Sequence, residues 1–209
     1  MLLNVNPLLL IIATYLIGSF PSGLVIGKLF YKTDIREHGS GNLGGTNALR
    51  VLGIKGGMVV YVLDILKGGI AIYLALNFQH AIHPLFIAVF AIIGHLYPVF
   101  AGFKGGKAVA TSAGIILFYA PLTFLLLAVV FFSTLLIWKM VSLSSTLTAI
   151  VMGAMVWLNP YNNPTYYSPI TRLVFTLVVL VVVIKHIPNF KRIAAGTESK
   201  IGQKKKNDT

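Results

Sequence analysis

The sequence predicts an all-α, polytopic integral membrane protein of about seven transmembrane helices, with the N-terminus outside and the C-terminus cytoplasmic. Three observations carry this fold class. Hydrophobic residues make up 56% of the 209 and charged residues only 11%, and the mean hydropathy of +0.84 lies outside the range of soluble domains. The apolar residues come in runs close to the ~20 that a helix needs to cross the hydrocarbon layer. The Lys and Arg residues, which give a net charge of +12, collect in alternate connectors, the pattern that sets orientation in a membrane.

Spans are expected near residues 7–30, 57–77, 81–100, 108–120, 121–138, 144–160 and 169–186. The first is longer than a signal-peptide core and lacks a small-residue cleavage site, so it is expected to be retained as a membrane helix. The apolar run 108–138 is too long for one crossing, and Pro121 predicts two short helices meeting at Ala120-Pro121. Lys32, Arg36, Arg50, Lys55, Lys104, Lys107 and Lys139 then share the cytoplasmic side with Lys191, Arg192, Lys200 and Lys204 to Lys206. The other side receives NFQHAI, the Pro121 turn and NPYNNPTYYSPITR, with Arg172 as its cation. Only an odd number of spans gives that asymmetry. Trp157, Tyr161, Tyr166 and Tyr167 fit an interfacial aromatic belt. The whole chain, 1–209, reads as one transmembrane domain, ending from about residue 197 in a basic, flexible tail that meets anionic lipid. Gly-rich connectors near residues 44 and 105 share no register, so an inverted-repeat transporter is not supported.

The charge excludes less than it suggests. The basic residues sit in short connectors and not on a soluble basic face, which points away from nucleic acid and toward anionic lipid and an anionic substrate. No obligate protein partner is implied. With no cysteine, disulfides, thiolate nucleophiles and Cys-ligated metals are excluded. The five histidines, His38, His80, His83, His95 and His186, are scattered over both predicted faces, and only five acidic residues exist, so neither a metal centre nor a cofactor is expected. The nucleophile elbow G-x-S-x-G is absent.

Chemistry is expected in three polar elements. The connector KTDIREHGSGNLGGTNALRVLGIKGG is longer than a membrane turn requires, and its GSGNLG fits G-x-G-x-x-G. A membrane helix precedes it where a dinucleotide fold needs a strand, so the nucleotide reading fails. The glycines still let the backbone approach an anion, which makes Ser40, Asn42, Gly44, Thr46, Asn47 and Arg50 candidates. In the second element, Lys104 and Lys107 flank Gly105 and Gly106 just before a helix expected near Ala108. Helix N–H groups and two ammonium groups suit a phosphate, at about 1.5–3 kcal/mol per charge-assisted bond. It is no Walker A loop, since Ala101 and Ala108 stand where Gly and Ser or Thr are needed. The third element, KHIPNFKRIAAGTES, puts His186 and Asn189 on one face if the helix continues, with Arg192 and Glu198 following. Asp64 and Lys67, at i and i+3 inside the second span, are expected to pair and support the first loop. Ser142 and Ser145, in VSLSS, are expected to cap the sixth helix, with phosphate contact as the alternative.

Taken together, GSFPSG, GSGNLGGTNALR, LDILKG, GHLYPVFAGFKGGKAVAT, VSLSS and HIPNFKRIAAGTE resemble, in order and over nearly the whole chain, the bacterial acyl-phosphate:glycerol-3-phosphate acyltransferase family. The resemblance implies an enzyme of the cell membrane that moves an acyl group from acyl phosphate to the 1-position of sn-glycerol 3-phosphate, giving lysophosphatidic acid. It implies that Ser40 and Arg50 are essential, that the Lys104 to Lys107 loop holds the phosphate of glycerol 3-phosphate, and that His186 and Asn189 belong to the site with Glu198 as a structural acid. Two positions depart from the family pattern: Gly45, where Ala is usual, and Ala108, where Gly is usual and where Ala could tighten the helix start. Other glycerolipid acyltransferases use H-x-x-x-x-D. Here the residues at that spacing are Leu43, Leu85, Ala88, Phe100 and Lys191, so the resemblance implies substrate-assisted catalysis in which a phosphate oxygen takes the proton.

Overall fold

The computed structural model describes residues 5–158 and 168–202; Tyr161, Tyr166, Tyr167 and Lys204 to Lys206 lie outside the described residues. Each apolar run forms helix: α1 (Pro7–Ser19), α2 (Ser22–Tyr31), α3 (Gly45–Asn77), α4 (Pro84–Leu96), α5 (Val109–Tyr119), α6 (Pro121–Trp138), α7 (Val141–Leu158) and α8 (Pro169–Ala194). Pro7, Pro84, Pro121 and Pro169 stand in the first turn of their helices, where the missing N–H costs nothing. Asn6 and Ser168 side chains accept from Leu8 N and Thr171 N to close two of these starts.

The chain runs back and forth between two ends. Val5 N bonds Gln79 O at 3.2 Å, so α1 begins beside the end of α3, while Ile201 N bonds Lys139 O at 2.7 Å, so the end of α6 meets the segment after α8. Among the described residues five helices are long and apolar enough to cross a membrane, six if α1 and α2, bent by 41° about Phe20 and Pro21, form one span. Two short helices meet at Ala120-Pro121 as expected: α6 and, before it, α5, which has 11 residues, about 16 Å of helix against a hydrocarbon layer of about 30 Å. α5 is one arm of a hairpin with α6, turning at Ala120-Pro121 as the proline requires.

Other boundaries move for physical reasons. The third helix starts at Gly45, not near 57, because Ala48 and Leu52 bury one face of a first segment. Gly53, at φ 74° and ψ −175°, kinks it before the membrane part. That backbone is open to glycine and closed to most residues. The last helix continues past 186 to Ala194, through Pro188. The tail expected to be flexible from residue 197 is held at Glu198, which is 6% exposed, and at Ile201.

Small residues set the closest helix crossings, as expected where lipid supplies no hydrophobic drive between helices. A Cβ on Gly18 would overlap the Ala91 backbone and one on Gly94 the Tyr15 carbonyl, locking α1 to α4; Gly68 against Thr111 and Gly114 against Ile65 lock α3 to α5. Thr14 Oγ1 adds a 3.0 Å bond to Ile87 O, a contact of about 0.6 kcal/mol in such settings. A second, smaller core of Ile26, Ile35, Leu43, Ala48, Leu52, Val60 and Ala101 lies under the first connector and fixes its path.

Candidate active site

Glu198 is the centre of a polar cluster built from four segments. Its Oε1 accepts from Ser142 Oγ at 2.7 Å and Asn189 Nδ2 at 2.8 Å, and its Oε2 from Arg192 Nε at 2.7 Å. Arg50 Nη2 stands 3.8 Å from Oε1. Burial alone would push this carboxyl up, but the bonds from Asn189, Ser142 and Arg192 outweigh it and hold Glu198 below its ordinary 4.5. The first turn of α7, the last two turns of α8 and the start of α3 therefore meet at one carboxylate.

Lys107 joins from the glycine loop by donating to Asn189 Oδ1. Burial pulls its ammonium down to about 8, with Glu198 opposing and Arg192 and Arg50 adding to the shift. His186, 3% exposed and one turn before Asn189, donates from Nδ1 to Val182 O at 2.8 Å; a carbonyl only accepts, so the neutral ring presents Nε2 as an acceptor. The cluster holds Arg50, Lys107 and Arg192 against one carboxylate, a cationic surplus that suits a phosphate.

The first loop is braced from within. Asn47, 1% exposed, accepts from Ser40 N at 2.8 Å and donates to Ile35 O and His38 O at 2.8 and 3.1 Å. Asn42 Oδ1 accepts from Gly44 N at 2.9 Å, its Nδ2 reaches Gly105 O at 3.4 Å, and Thr46 Oγ1 lies 2.7 Å from Tyr61 Oη. Asn42 thus ties the two glycine loops together. Gly44 is the N-cap of α3, and Ser40 is exposed at the lip.

A family profile described as glycerol-3-phosphate acyltransferase matches residues 8–196. The chain belongs to that family. Among relatives of this acyltransferase, the glycerol-3-phosphate acyltransferase of Bacillus subtilis (strain 168) is 53% identical over 193 residues, covering 92% of this chain and 96% of the relative. The Listeria welshimeri enzyme is 50% identical over 202 residues, covering 95% and 98%. The fold is similar to the crystal structure of PlsY, an integral membrane glycerol 3-phosphate acyltransferase, in its glycerol 3-phosphate form, with a TM-score of 0.86 at 34% identity, covering 94% of this chain and 96% of that one. The lysophosphatidic acid form of PlsY matches at 0.81.

Within this acyltransferase several sequence candidates take different work from that expected. Asn47 has its amide engaged inside the loop, where it braces Ser40. Ser142 and Ser145 lie inside α7 and cap nothing: Ser142 donates to Glu198, and Ser145 bonds Val141 O at 2.8 Å. Lys104 is exposed, while Lys107 turns into the cluster. Gly105 and Gly106 are required because a Cβ on either would overlap His95, a packing reason that the anion reading did not contain. Asp64 and Lys67 do pair, at 2.7 Å, but their partners are Phe20, Ser22 and His95 and not the first loop. Arg192 stands in the third polar element of the sequence without an assigned role, and Tyr61 lies outside all three. Arg192 was recoverable, since 186, 189 and 192 recur at i+3 along one helix face; Tyr61 carries no local signal.

Proposed function

We propose that the protein transfers a fatty acyl group from an acyl phosphate to the 1-hydroxyl of sn-glycerol 3-phosphate, releasing 1-acyl-glycerol 3-phosphate and inorganic phosphate, as the first step of phospholipid synthesis. The observation that carries this reading is the convergence of Arg50 and Arg192 on Glu198, with Lys107 reaching the adjoining Asn189 from a glycine loop. Two phosphorylated substrates repel each other, and a cationic surplus offsets that repulsion. The names of the relatives and the glycerol 3-phosphate form of PlsY support the acceptor; the ordered sequence motifs support the donor.

In the reaction the acceptor hydroxyl oxygen attacks the acyl carbonyl carbon, the bond from that carbon to the phosphate oxygen breaks, and an oxygen of the departing phosphate takes the hydroxyl proton. The chain's work is to hold and orient. Arg50, Lys107 and Lys104 with loop N–H groups bind phosphate, Ser40 lines the lip, and His186 Nε2 accepts from an acceptor hydroxyl. Asn42 and Thr46 shape the first loop around these groups. The acyl chain enters from lipid. The positive-inside rule puts the cationic end, with the C-terminus, at the cytoplasmic face of a bacterial plasma membrane, within a single domain spanning 1–209.

Purified protein supplied with glycerol 3-phosphate and an acyl phosphate series is expected to release 1-acyl-glycerol 3-phosphate and phosphate in equal amounts. A protein that gives no product at any chain length would sink the proposal.

A further inference from the structure

Beneath the glycine loop lies a second charged group that the chemistry above does not use. Asp64 and Lys67 on α3 and His95 in the last turn of α4 are 2%, 6% and 7% exposed. Lys67 Nζ stands 2.7 Å from Asp64 Oδ1, donates to Phe20 O at 2.8 Å in the α1–α2 break, and lies 3.2 Å from His95 Nδ1. Ser22 Oγ donates to the same Asp64 oxygen at 2.8 Å. An ammonium only donates, so Nδ1 accepts and the proton of the ring is on Nε2.

The glycine loop rests on this assembly. Gly106 N bonds His95 O at 3.0 Å. A Cβ on Gly105 would overlap that same carbonyl, and one on Gly106 would overlap His95 Nε2. The next residue is Lys107, whose ammonium reaches Asn189. The cavity lined by Ser22, Asp64, Lys67, His95, Gly105 and Gly106 holds about 10 Å³, room for a single water-sized group and none for a substrate. Charges at this depth are costly and need a partner or a function.

We propose that Asp64, Lys67 and His95 are positioning residues: the ion pair fixes the His95 ring and carbonyl, Gly105 and Gly106 seat on them, and Lys107 is thereby carried to the phosphate site. The inference rests on the acyl-transfer reading of the Glu198 cluster. It assigns to an intramembrane pair the orientation of a residue on a different segment.

Steady-state kinetics with glycerol 3-phosphate and an acyl phosphate test it. His95→Leu is expected to raise KM for glycerol 3-phosphate at least about tenfold, the scale of one charge-assisted bond, with kcat changed less than threefold. His95→Asn, whose amide oxygen accepts from Lys67 where Nδ1 does, restores KM to within about threefold of wild type. Lys67→Met raises KM as His95→Leu does, and adding His95→Leu to it changes nothing further. Gly106→Ala costs about tenfold in the wild type but under threefold with His95→Asn, because the imidazole is what the methyl meets. Additive losses, or a His95→Leu enzyme with wild-type KM, overturn the positioning role. If His95→Leu does not fold, the Asn and Gly106 arms still decide. A wild-type protein inactive with every donor would overturn the acyl-transfer reading itself, so the two failures are distinct.

Discussion

Replacing Glu198 with Gln probes the cluster at its centre. Gln retains one oxygen, which can still accept from Ser142 and Asn189, both of which bind Oε1. Opposite Arg192 Nε it puts an NH2 group, donor against donor. The lost charge-assisted bond is worth about 2 kcal/mol, less in part because the Arg192 side chain is 36% exposed. Leaving Arg50, Lys107 and Arg192 without a counter-charge brings the total to about 3 kcal/mol, or roughly 100-fold in kcat/KM. Glu198→Gln is therefore expected to lower kcat/KM for glycerol 3-phosphate about 100-fold and to lower the melting temperature in detergent. The stability gap has a pH sign. The carboxyl is depressed below 4.5 in the folded protein, so its contribution is complete above that pH and is lost as pH falls through the folded value; wild type and variant converge there. A variant with a lower KM for glycerol 3-phosphate and unchanged kcat would refute the reasoning, since it would make Glu198 a mere attenuator of positive charge.

The remaining expectations are simpler. Arg50→Ala should lose at least ~100-fold in activity while its melting temperature stays within a few degrees, because the half-buried side chain lies at a helix start and not in either core; wild-type turnover would remove Arg50 from the site. Lys107 is held to about 8, so kcat/KM should fall as pH rises through that value and the ammonium is lost. Lys107→Arg should move the limb above roughly pH 10, and a limb that stays in place assigns it to another group. Ala108 sits at φ 60° and ψ 11° and is 1% exposed. Left-handed backbone costs an L-residue about 1–2 kcal/mol, which Ala108→Gly recovers and then loses again as unfolded-state entropy, about 0.4–1 kcal/mol, and a buried methyl, about 0.8 kcal/mol. Its melting temperature should lie within about 3 °C of wild type, whereas Ala108→Val should destabilise by more than about 2 kcal/mol. Equal stability of the two variants would contradict this backbone assignment.

The site was legible where a residue's chemistry is inseparable from its neighbours in sequence. Lys107 follows two glycines and precedes a helix, and His186 and Asn189 share a face once α8 is seen to continue to Ala194. It was illegible where a side chain's partner comes from far along the chain. Ser142 meets Glu198 across 56 positions and Asn42 meets Gly105 across 63, and no local pattern says which of two polar atoms will face a ligand and which will brace a loop. Asn47 and Arg50 are equally polar in GGTNALR; only the fold turns one inward to Ile35 and the other toward Glu198.

By itself the sequence determined that this chain is a helical membrane protein with its cations gathered between apolar runs, because hydropathy and charge act residue by residue and need no partner to be felt. It also marked the breaks, since Pro121 and the prolines that open α1, α4 and α8 act on their own backbone. The tertiary structure alone decided that Gly105 and Gly106 are glycines because His95 lies against them, and that Glu198 gathers Arg50 and Arg192. Those are statements about distance between segments, and packing, not composition, sets such distances.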